Sequence, residues 1–156
     1  MLSLDVTFDE FARLLGPRLR AALIAAYGTQ VGVDCAAEAL AYGWEHWDRL
    51  RSMNNPAGYL YRVGQTAARR GRRPDLLLPS PTPLELPMFD PGLIPALHRL
   101  TEPQRVAVML VHGYGWSQAE VADILDVSHA TVRTHVSRAL AHLRRALEEH
   151  QHVDQP

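Results

Sequence analysis

The chain has 156 residues, of which 47% are hydrophobic and 21% are charged, and its formal net charge is −1. This length suffices for one ordinary domain or two very small ones, and the composition is typical of a water-soluble globular protein. No apolar run approaches the roughly 20 residues that a membrane span needs. The opening residues, MLSLDVTFDEF, carry acids where a secretory signal would have basic residues, so we expect a cytoplasmic protein without membrane insertion.

Positive charge is concentrated in two places although the chain is nearly neutral. All 16 basic residues are arginine. Five of them fall in residues 62–73 and four in residues 129–147, and neither stretch contains an acidic residue. Two local basic faces indicate two contacts with nucleic acid, but two ordinary solvated helix faces would give the same pattern.

The first predicted helix begins after Thr7, because the spacing of Thr7 and Glu10 fits a capping box. Apolar residues then recur with helical spacing as far as residue 26. Gly28 and Gly32 predict a turn, and Asp34 is suited to cap a second helix. The beginning of the chain is therefore predicted to form a helical pair.

The second and third helices are predicted to meet near residues 51–55. Trp44 and Trp47 lie three residues apart on the second helix, so at least one of them is expected in the core. Asn55 followed by Pro56 is a typical helix start, because asparagine caps well and proline tolerates the first helical position. The third helix then runs through Ala67.

A proline-rich stretch divides the chain. Six prolines interrupt residues 71–91, and each lacks a backbone donor and restricts the residue before it. No alternating strand pattern of useful length occurs, so the predicted fold class is all-α. The expected organisation is two small helical modules at residues 1–73 and 91–150, a Pro-rich linker at residues 74–90 and a tail at residues 151–156.

A helix-turn-helix pattern follows in the second module. Ser117 and Glu120 form a capping box for a short helix, and Ser128 caps a long helix predicted to end near Glu148. Ala122 is small where the two helices would cross. The residues expected to face inward are Val121, Ile124 and Val127 before the long helix, and Val132, Val136, Leu140, Leu143 and Leu147 along it.

The opposite face of the long helix is polar, short-chained near its start and free of acids. Small residues let a helix N-terminus enter the major groove, arginine can donate two hydrogen bonds to guanine, and the N-terminus favours phosphate. Similar helical hairpins also occur in proteins that do not bind DNA. The predicted DNA contacts are His129, Ala130, Thr131, Arg133, Thr134, Ser137 and Arg138.

Two stretches of the chain resemble one protein family. The stretch LHRLTEPQRVAVMLVHGYGWSQAEVADILDVSHATVRTHVSRALAHLRRAL, residues 97–147, resembles region 4 of bacterial sigma factors, most closely the extracytoplasmic-function (ECF)-like branch of the sigma-70 family. The stretch DCAAEALAYGWEHWDRLRSMNNPAGYLYRVGQTAARR, residues 34–70, resembles region 2. The resemblance implies that region 4 reads the promoter −35 element. It also implies that region 2 binds the clamp of RNA polymerase and recognises and melts the −10 element.

The resemblance also implies roles for individual residues. Asp34 and Glu38 match the acids of a D-L-V-Q-E-like motif that contacts polymerase, although the glutamine is absent. Asp126 stands where the family usually has a turn glycine. The residues implied to contact the −10 single strand are Asn54, Asn55, Tyr59, Arg62 and Thr66, the last replacing a common asparagine. The implied partners are core RNA polymerase and promoter DNA, with an anti-sigma factor or another sigma-like subunit as further candidates.

No pattern in the sequence predicts an enzyme. The eight histidines and one cysteine form no cluster with metal-ligand spacing, and no nucleophile–base grouping, phosphate loop or carboxylate pair stands out. We therefore expect no catalytic residue, metal or cofactor. The leading interpretation is an ECF-like sigma factor. The alternatives are a degenerate sigma-like interaction protein or coactivator of another sigma factor, and a stand-alone helix-turn-helix regulator.

Overall fold

The computed structural model describes residues 6–71 and 90–153, and this part of the chain is helical with no β-strand, which confirms the all-α prediction. The N-terminal module contains α1 (Phe8–Tyr27), α2 (Thr29–Glu45), α3 (Trp47–Leu50) and α4 (Pro56–Arg70). The C-terminal module contains α5 (Leu93–Arg99), α6 (Glu102–Val108), a π-helical turn (Met109–Gly113), α7 (Gln118–Leu125) and α8 (His129–Val153). The predicted linker at residues 74–90 lies outside the described residues except for residue 90.

The predicted helix starts are present as hydrogen-bonded caps. The hydroxyl of Thr7 accepts from the backbone N–H of Glu10, whose carboxylate accepts in return from the N–H of Thr7 at 3.0 Å. Asn55 caps α4 by accepting from the N–H of Gly58 at 3.0 Å. These side chains satisfy backbone donors that a helix leaves unpaired at its first turn, so the starts are determined locally.

The predicted turn between α1 and α2 was wrong in its details. The chain reverses at Gly28 alone, whose φ is 85°, and α2 already begins at Thr29. Gly32 lies inside α2, where a Cβ would come within 2.5 Å of the Ile24 backbone, so this glycine permits close packing on α1. Asp34 is therefore an exposed residue within α2 and does not cap it.

The two tryptophans have different environments. Trp47 packs its ring against Phe8 and Phe11, and its indole N–H donates to the carbonyl of Val6 at 3.1 Å. Trp44 is 64% exposed, and its ring meets that of Phe8 edge-on with the ring centres 5.8 Å apart. The prediction that at least one tryptophan lies in the core is confirmed for Trp47, which packs against it half-buried.

The helix-turn-helix pair has the predicted starts and a left-handed turn. Asp126 ends α7 with φ 55°, a conformation that aspartate tolerates better than most residues. Val127 is 37% exposed and does not face inward as predicted, because the reversal at Asp126 carries it outward. In the stripe of α8, Val132, Val136 and Leu143 are buried, whereas Leu140 and Leu147 are half-buried. The helix continues past residue 148 to Val153.

The two modules pack against each other. One cluster of buried apolar side chains includes Phe11, Leu23 and Leu60 from the first module and Val106 and Val121 from the second. Helix α6 lies on α1, and α7 lies on α4. The turn between α7 and α8 is consequently held beside the N-terminal end of α4. Within the described ranges, no helix is both long and apolar enough to cross a membrane.

Candidate nucleic-acid interface

The predicted DNA-contacting face of α8 is open to solvent. Thr131 is half-buried. The other six residues are exposed: His129, Ala130, Arg133, Thr134, Ser137 and Arg138. Ser128 caps the helix by accepting from the N–H of Thr131 at 3.1 Å. The first turn of α8 therefore presents short side chains and a positive helix end on the same surface, an arrangement suited to a groove lined with phosphates.

Two side chains on α8 are less available for contact than the sequence indicates. The hydroxyl of Thr131 lies 2.8 Å from that of Ser128, so it belongs to the cap. The hydroxyl of Thr134 donates to the carbonyl of Ala130 at 2.9 Å and retains only its acceptor capacity. The direct donors on this face are consequently the two arginines, Ser137 and the imidazole of His129.

Partial burial, with a contribution from the nearby Arg138, lowers the pKa of His135. The half-buried imidazole of His135 is therefore neutral at physiological pH, since the unperturbed value is already below 7. His135 therefore adds no positive charge to the α8 face, whereas the arginines and the helix N-terminus do.

The predicted −10 residues gather along one side of α4. Asn55, Tyr59, Arg62 and Thr66 are spaced by three or four positions, which places them in one row along the helix. Arg62 and Thr66 are exposed, and the Thr66 hydroxyl donates to the carbonyl of Arg62 at 3.0 Å. Asn54 is exposed in the loop just before α4. The structure therefore brings all five predicted residues into one neighbourhood.

Tyr59 forms an aromatic and cationic group with residues that the sequence did not single out. The guanidinium of Arg49 lies 5.9 Å from the centre of the Tyr59 ring and donates to the Tyr42 hydroxyl at 2.6 Å. Hydrogen bonding between the two hydroxyls lowers the pKa of Tyr42 and raises the pKa of Tyr59. Aromatic rings beside a guanidinium are suited to stacking on unpaired bases.

The turn between α7 and α8 contacts this row directly. The side-chain amide of Asn55 donates to the carbonyl of Asp123 at 2.5 Å, and the guanidinium of Arg62 lies 3.0 Å from the carboxylate of Asp126. A Cβ at Gly58 would lie 3.1 Å from the Cβ of Asp126, so glycine permits this close approach. Two of the five predicted −10 residues are thus already engaged by the helix-turn-helix.

The predicted polymerase-binding residues lie on the exposed side of α2. Asp34 and Glu38 are one helical turn apart. The carboxylate of Asp34 accepts from Gln30 at 3.3 Å, and that of Glu38 lies 2.9 Å from the guanidinium of Arg70 on α4. Burial raises the pKa of the Cys35 thiol, and the neighbouring carboxylates add to the effect.

Sequence reasoning missed a buried polar contact between the modules. Arg105 of α6 is 7% exposed and donates to the carbonyls of Ala25 and Ala26, at 3.3 and 2.7 Å, at the end of α1. A guanidinium there satisfies helix carbonyls and complements the negative end of the helix dipole. The signal that could have revealed it is an arginine directly before the longest apolar run of the C-terminal module, residues 106–111.

Glu102 completes this contact beside Arg105. Its carboxylate accepts from the hydroxyl of Tyr27 at 2.9 Å and from the side-chain amide of Gln65 at 3.1 Å. Burial and the adjacent carboxylate of Glu102 raise the pKa of Tyr27, and burial also raises that of Tyr61. Both phenols are therefore neutral at physiological pH, and that of Tyr27 is the donor to Glu102.

The two predicted nucleic-acid surfaces remain distinct. Among the described residues, no hydrogen bond or ion pair joins the α8 set to the α4 set. The α7–α8 turn, which precedes α8, contacts the α4 set through Asn55 and Arg62. In residues 6–71 and 90–153, no group of three or more His, Cys, Asp or Glu side chains is placed to hold a metal ion.

Comparison with known proteins gives a family for the C-terminal module. Residues 93–143 match the family described as Sigma-70, region 4. No curated protein sequence matches the chain significantly.

Solved structures extend the likeness to both modules. The sigma factor RpoE in complex with the anti-sigma factor NepR, from Bartonella quintana, is 24% identical, with a TM-score of 0.55 over 95% of this chain and 98% of that chain. CnrH in complex with the cytosolic domain of CnrY is 23% identical, with a TM-score of 0.56 over 95% and 89%. The resemblance to the sigma-70 family is thereby confirmed: residues 93–143 match sigma-70 region 4, and the chain has the fold of the two solved structures.

Proposed function

We propose that this chain is an ECF-like sigma factor that directs RNA polymerase to specific promoters and initiates transcription. The observation that carries the proposal is the exposed, acid-free face of α8 within a region 4 module. In this role the chain performs no catalysis itself and needs no cofactor. It acts in the cytoplasm, where polymerase and chromosome are found. The proposed boundaries are residues 1–73 for region 2 and 91–150 for region 4, with the linker at 74–90 and a tail at 151–156.

In region 4, α8 reads the −35 element. Arg133 lies one turn into α8 and is exposed, so it is the best placed side chain for a bidentate contact with guanine. Arg138 and Ser137 lie further along and contact phosphate. Because the net charge is −1 and each face has only a few arginines, counterion release is limited. The free protein therefore binds duplex DNA weakly, and polymerase supplies the remaining affinity.

In region 2, α2 binds polymerase and α4 contacts the −10 strand. Asp34 and Glu38 bind the polymerase clamp through the exposed side of α2. The −10 strand is contacted by Asn54, Asn55, Tyr59, Arg62 and Thr66, with the Tyr59 ring as the stacking surface. An anti-sigma factor is a further proposed partner, because a structure of the same fold holds one, in the complex of RpoE with NepR.

Transcription in vitro with core polymerase tests the proposal. A library of promoters, transcribed with core enzyme plus the chain, is expected to give products from a small subset that share −35 and −10 sequences. Core enzyme alone is the control for non-specific initiation. Tight operator binding by the free protein at physiological salt, with no transcript from any promoter, would contradict the proposal and favour a stand-alone regulator.

A coactivator is the second candidate, and the contact between Arg62 and Asp126 favours it. If that contact is permanent, region 2 cannot open a promoter, and the chain acts through another sigma-like subunit. Adding a second sigma factor to the transcription assay separates the two roles. A sigma factor yields transcripts without it, whereas a coactivator yields them only when the second factor is present.

A further inference from the structure

The α7–α8 turn covers the part of α4 where Asn55 and Arg62 project. The carbonyl of Asp123 takes the side-chain N–H of Asn55, and the carboxylate of Asp126 takes the guanidinium of Arg62. Asn55 also accepts from the N–H of Gly58, so both ends of its amide are in use. Arg62 remains 62% exposed at its side chain, so its pairing is at the surface.

A nucleic-acid strand would need the groups that the turn occupies. A carboxylate bound to a guanidinium stands where a phosphate or a base acceptor would bind. A backbone carbonyl bound to an amide likewise takes a donor that a base edge would use. The turn takes one N–H of the Asn55 amide and one nitrogen of the Arg62 guanidinium, so a strand that binds through these donors competes with the turn for them.

The outer contacts between the modules are of a kind that exchanges readily. The ion pairs Arg18–Glu120, at 2.7 Å, and Arg62–Asp126, at 3.0 Å, both involve side chains that are at least one-third exposed. Exposed ion pairs contribute little net stability and are screened by salt. The edge of the contact that lies over α4 is therefore weaker than its buried centre at Arg105.

We infer that the α7–α8 turn is an autoinhibitory element: its docking on α4 and the binding of a single DNA strand to α4 exclude each other. The inference rests on the proposed −10 role of α4 and adds the control of that site by region 4. Asp126 is the residue that makes the exclusion electrostatic, since it presents a carboxylate to the arginine that would bind phosphate. Its left-handed conformation is also one that asparagine and glycine adopt with little strain.

The decisive variant is Asp126→Asn in the full chain. It removes the carboxylate from Arg62 and keeps a residue suited to φ 55°. The probe is a fluorescein-labelled single-stranded DNA of mixed sequence and about 12 nucleotides, followed by fluorescence anisotropy. We expect Asp126→Asn to bind it about two- to fivefold more tightly than the wild type, as loss of one exposed ion pair implies. The asparagine side chain could still accept a hydrogen bond from Arg62 and so reduce the gain. Asp126→Gly has no side chain to do this, and it should show the full gain.

Asp123→Asn is the matched control. It makes the same change of charge three residues earlier, in α7, but the carboxylate of Asp123 pairs with no described residue, and its carbonyl, which binds Asn55, is unchanged. An equal gain in both variants would mean that net charge alone is responsible and would overturn the inference. In the Asp126→Asn background, Arg62→Ala should remove the gain; a gain that persists without Arg62 would also overturn it.

Nuclear magnetic resonance of the ¹⁵N-labelled protein tests displacement directly. The side-chain amide of Asn55 reports its bond to the Asp123 carbonyl, and the exposed side-chain amide of Gln30 on α2, which belongs to neither DNA-contacting set, serves as internal reference. Saturating DNA should shift the Asn55 amide signals and leave those of Gln30 unchanged. Bound DNA with unchanged Asn55 signals, or no binding by any variant, would refute the exclusion. Neither measurement uses polymerase, so failure of promoter-specific transcription remains a separate result that bears on the proposed function alone.

Discussion

The exposed face of α8 and the partly covered face of α4 are both predicted to contact nucleic acid, but their surroundings differ. On α8, Arg133 and Arg138 are exposed and form no ion pair with any described residue. On α4, Arg62 pairs with Asp126 of the other module and Asn55 binds the carbonyl of Asp123. A row of suitable side chains on one helix therefore establishes what a surface could bind, whereas the neighbouring module controls whether it is free to do so.

The difference follows from how each face is built. The α8 face is complete within one helix, since its cap, its spacing and its charge all come from residues 128–145. The α4 face also contacts the α7–α8 turn. This contact is possible because Gly58 has no side chain and leaves room for Asp126. A contact between residues 68 positions apart, such as that of Asn55 with Asp123, has no counterpart in helical periodicity.

Polymerase binding should produce the largest effect and involves a third surface, which lies apart from both faces. The double substitution Asp34→Arg and Glu38→Arg reverses two exposed charges on α2, and Glu38→Arg also repels Arg70. We expect it to abolish co-purification with core polymerase while leaving the helical circular dichroism signal intact. Glu45→Arg, an exposed reversal on the same helix, should leave binding unchanged. Retained binding in the double variant would place the polymerase contact elsewhere.

Arg105→Leu should weaken the contact between the two modules, and with it the cover over α4. The buried guanidinium serves the carbonyls of Ala25 and Ala26, and its loss leaves them without that donor. We expect the free energy of unfolding in urea to fall by about 2–4 kcal/mol. Arg20→Leu, an exposed change on α1, is the control and should cost little. A loss no larger than in the control would show that Arg105 does not hold the modules together.

Arg133→Ala should affect the exposed α8 face and leave the α4 face unchanged. Loss of a bidentate contact with guanine costs about 1–3 kcal/mol at that base pair, so promoter output should fall and preference should flatten at one or two −35 positions. Arg138→Ala should weaken all sequences about equally, because phosphate contacts carry no base preference. Sequencing transcripts from a promoter library measures both. An unchanged −35 preference in Arg133→Ala would remove the claim of a base contact.

Alkaline pH should give the smallest effect, through Tyr27 at the contact between the modules. Burial and Glu102 raise the pKa of Tyr27 in the folded chain, whereas an unfolded tyrosine ionises near pH 10. The unfolded state therefore loses its proton first, and stability should decline as pH rises above about 10. The sequence has no lysine, so tyrosines dominate this range. Urea unfolding at several pH values should show a shallower decline for Tyr27→Phe. The exposed Tyr114→Phe should leave the slope unaltered.

Capping residues and periodicity predicted most of the helices correctly. Thr7, Asn55, Ser117 and Ser128 all accept a hydrogen bond from the first turn of the helix that follows them. These contacts span three residues, so they depend on nothing beyond the local chain. The acid-free face of α8 was visible for the same reason.

The errors occurred where helices meet. Gly32 looked like a turn residue, but it is a helical residue that lets α2 approach Ile24. Trp44 fitted an apolar stripe, but its ring lies at the surface and meets only the edge of the core at Phe8. The sequence does not show whether a glycine lies in a turn or in a helix, or whether a tryptophan is buried or exposed. The position of the neighbouring helix decides both.

The sequence alone determined the helical class, the caps and the basic face of α8, because each depends on residues within a few positions of one another. The tertiary structure decided that Arg105 is buried between the modules and that Asp126 reaches Arg62. Both contacts join distant parts of the chain and depend on how α6 and α7 dock on α1 and α4. That docking arises from the shape of the shared core, in which side chains from both modules must fit together at once.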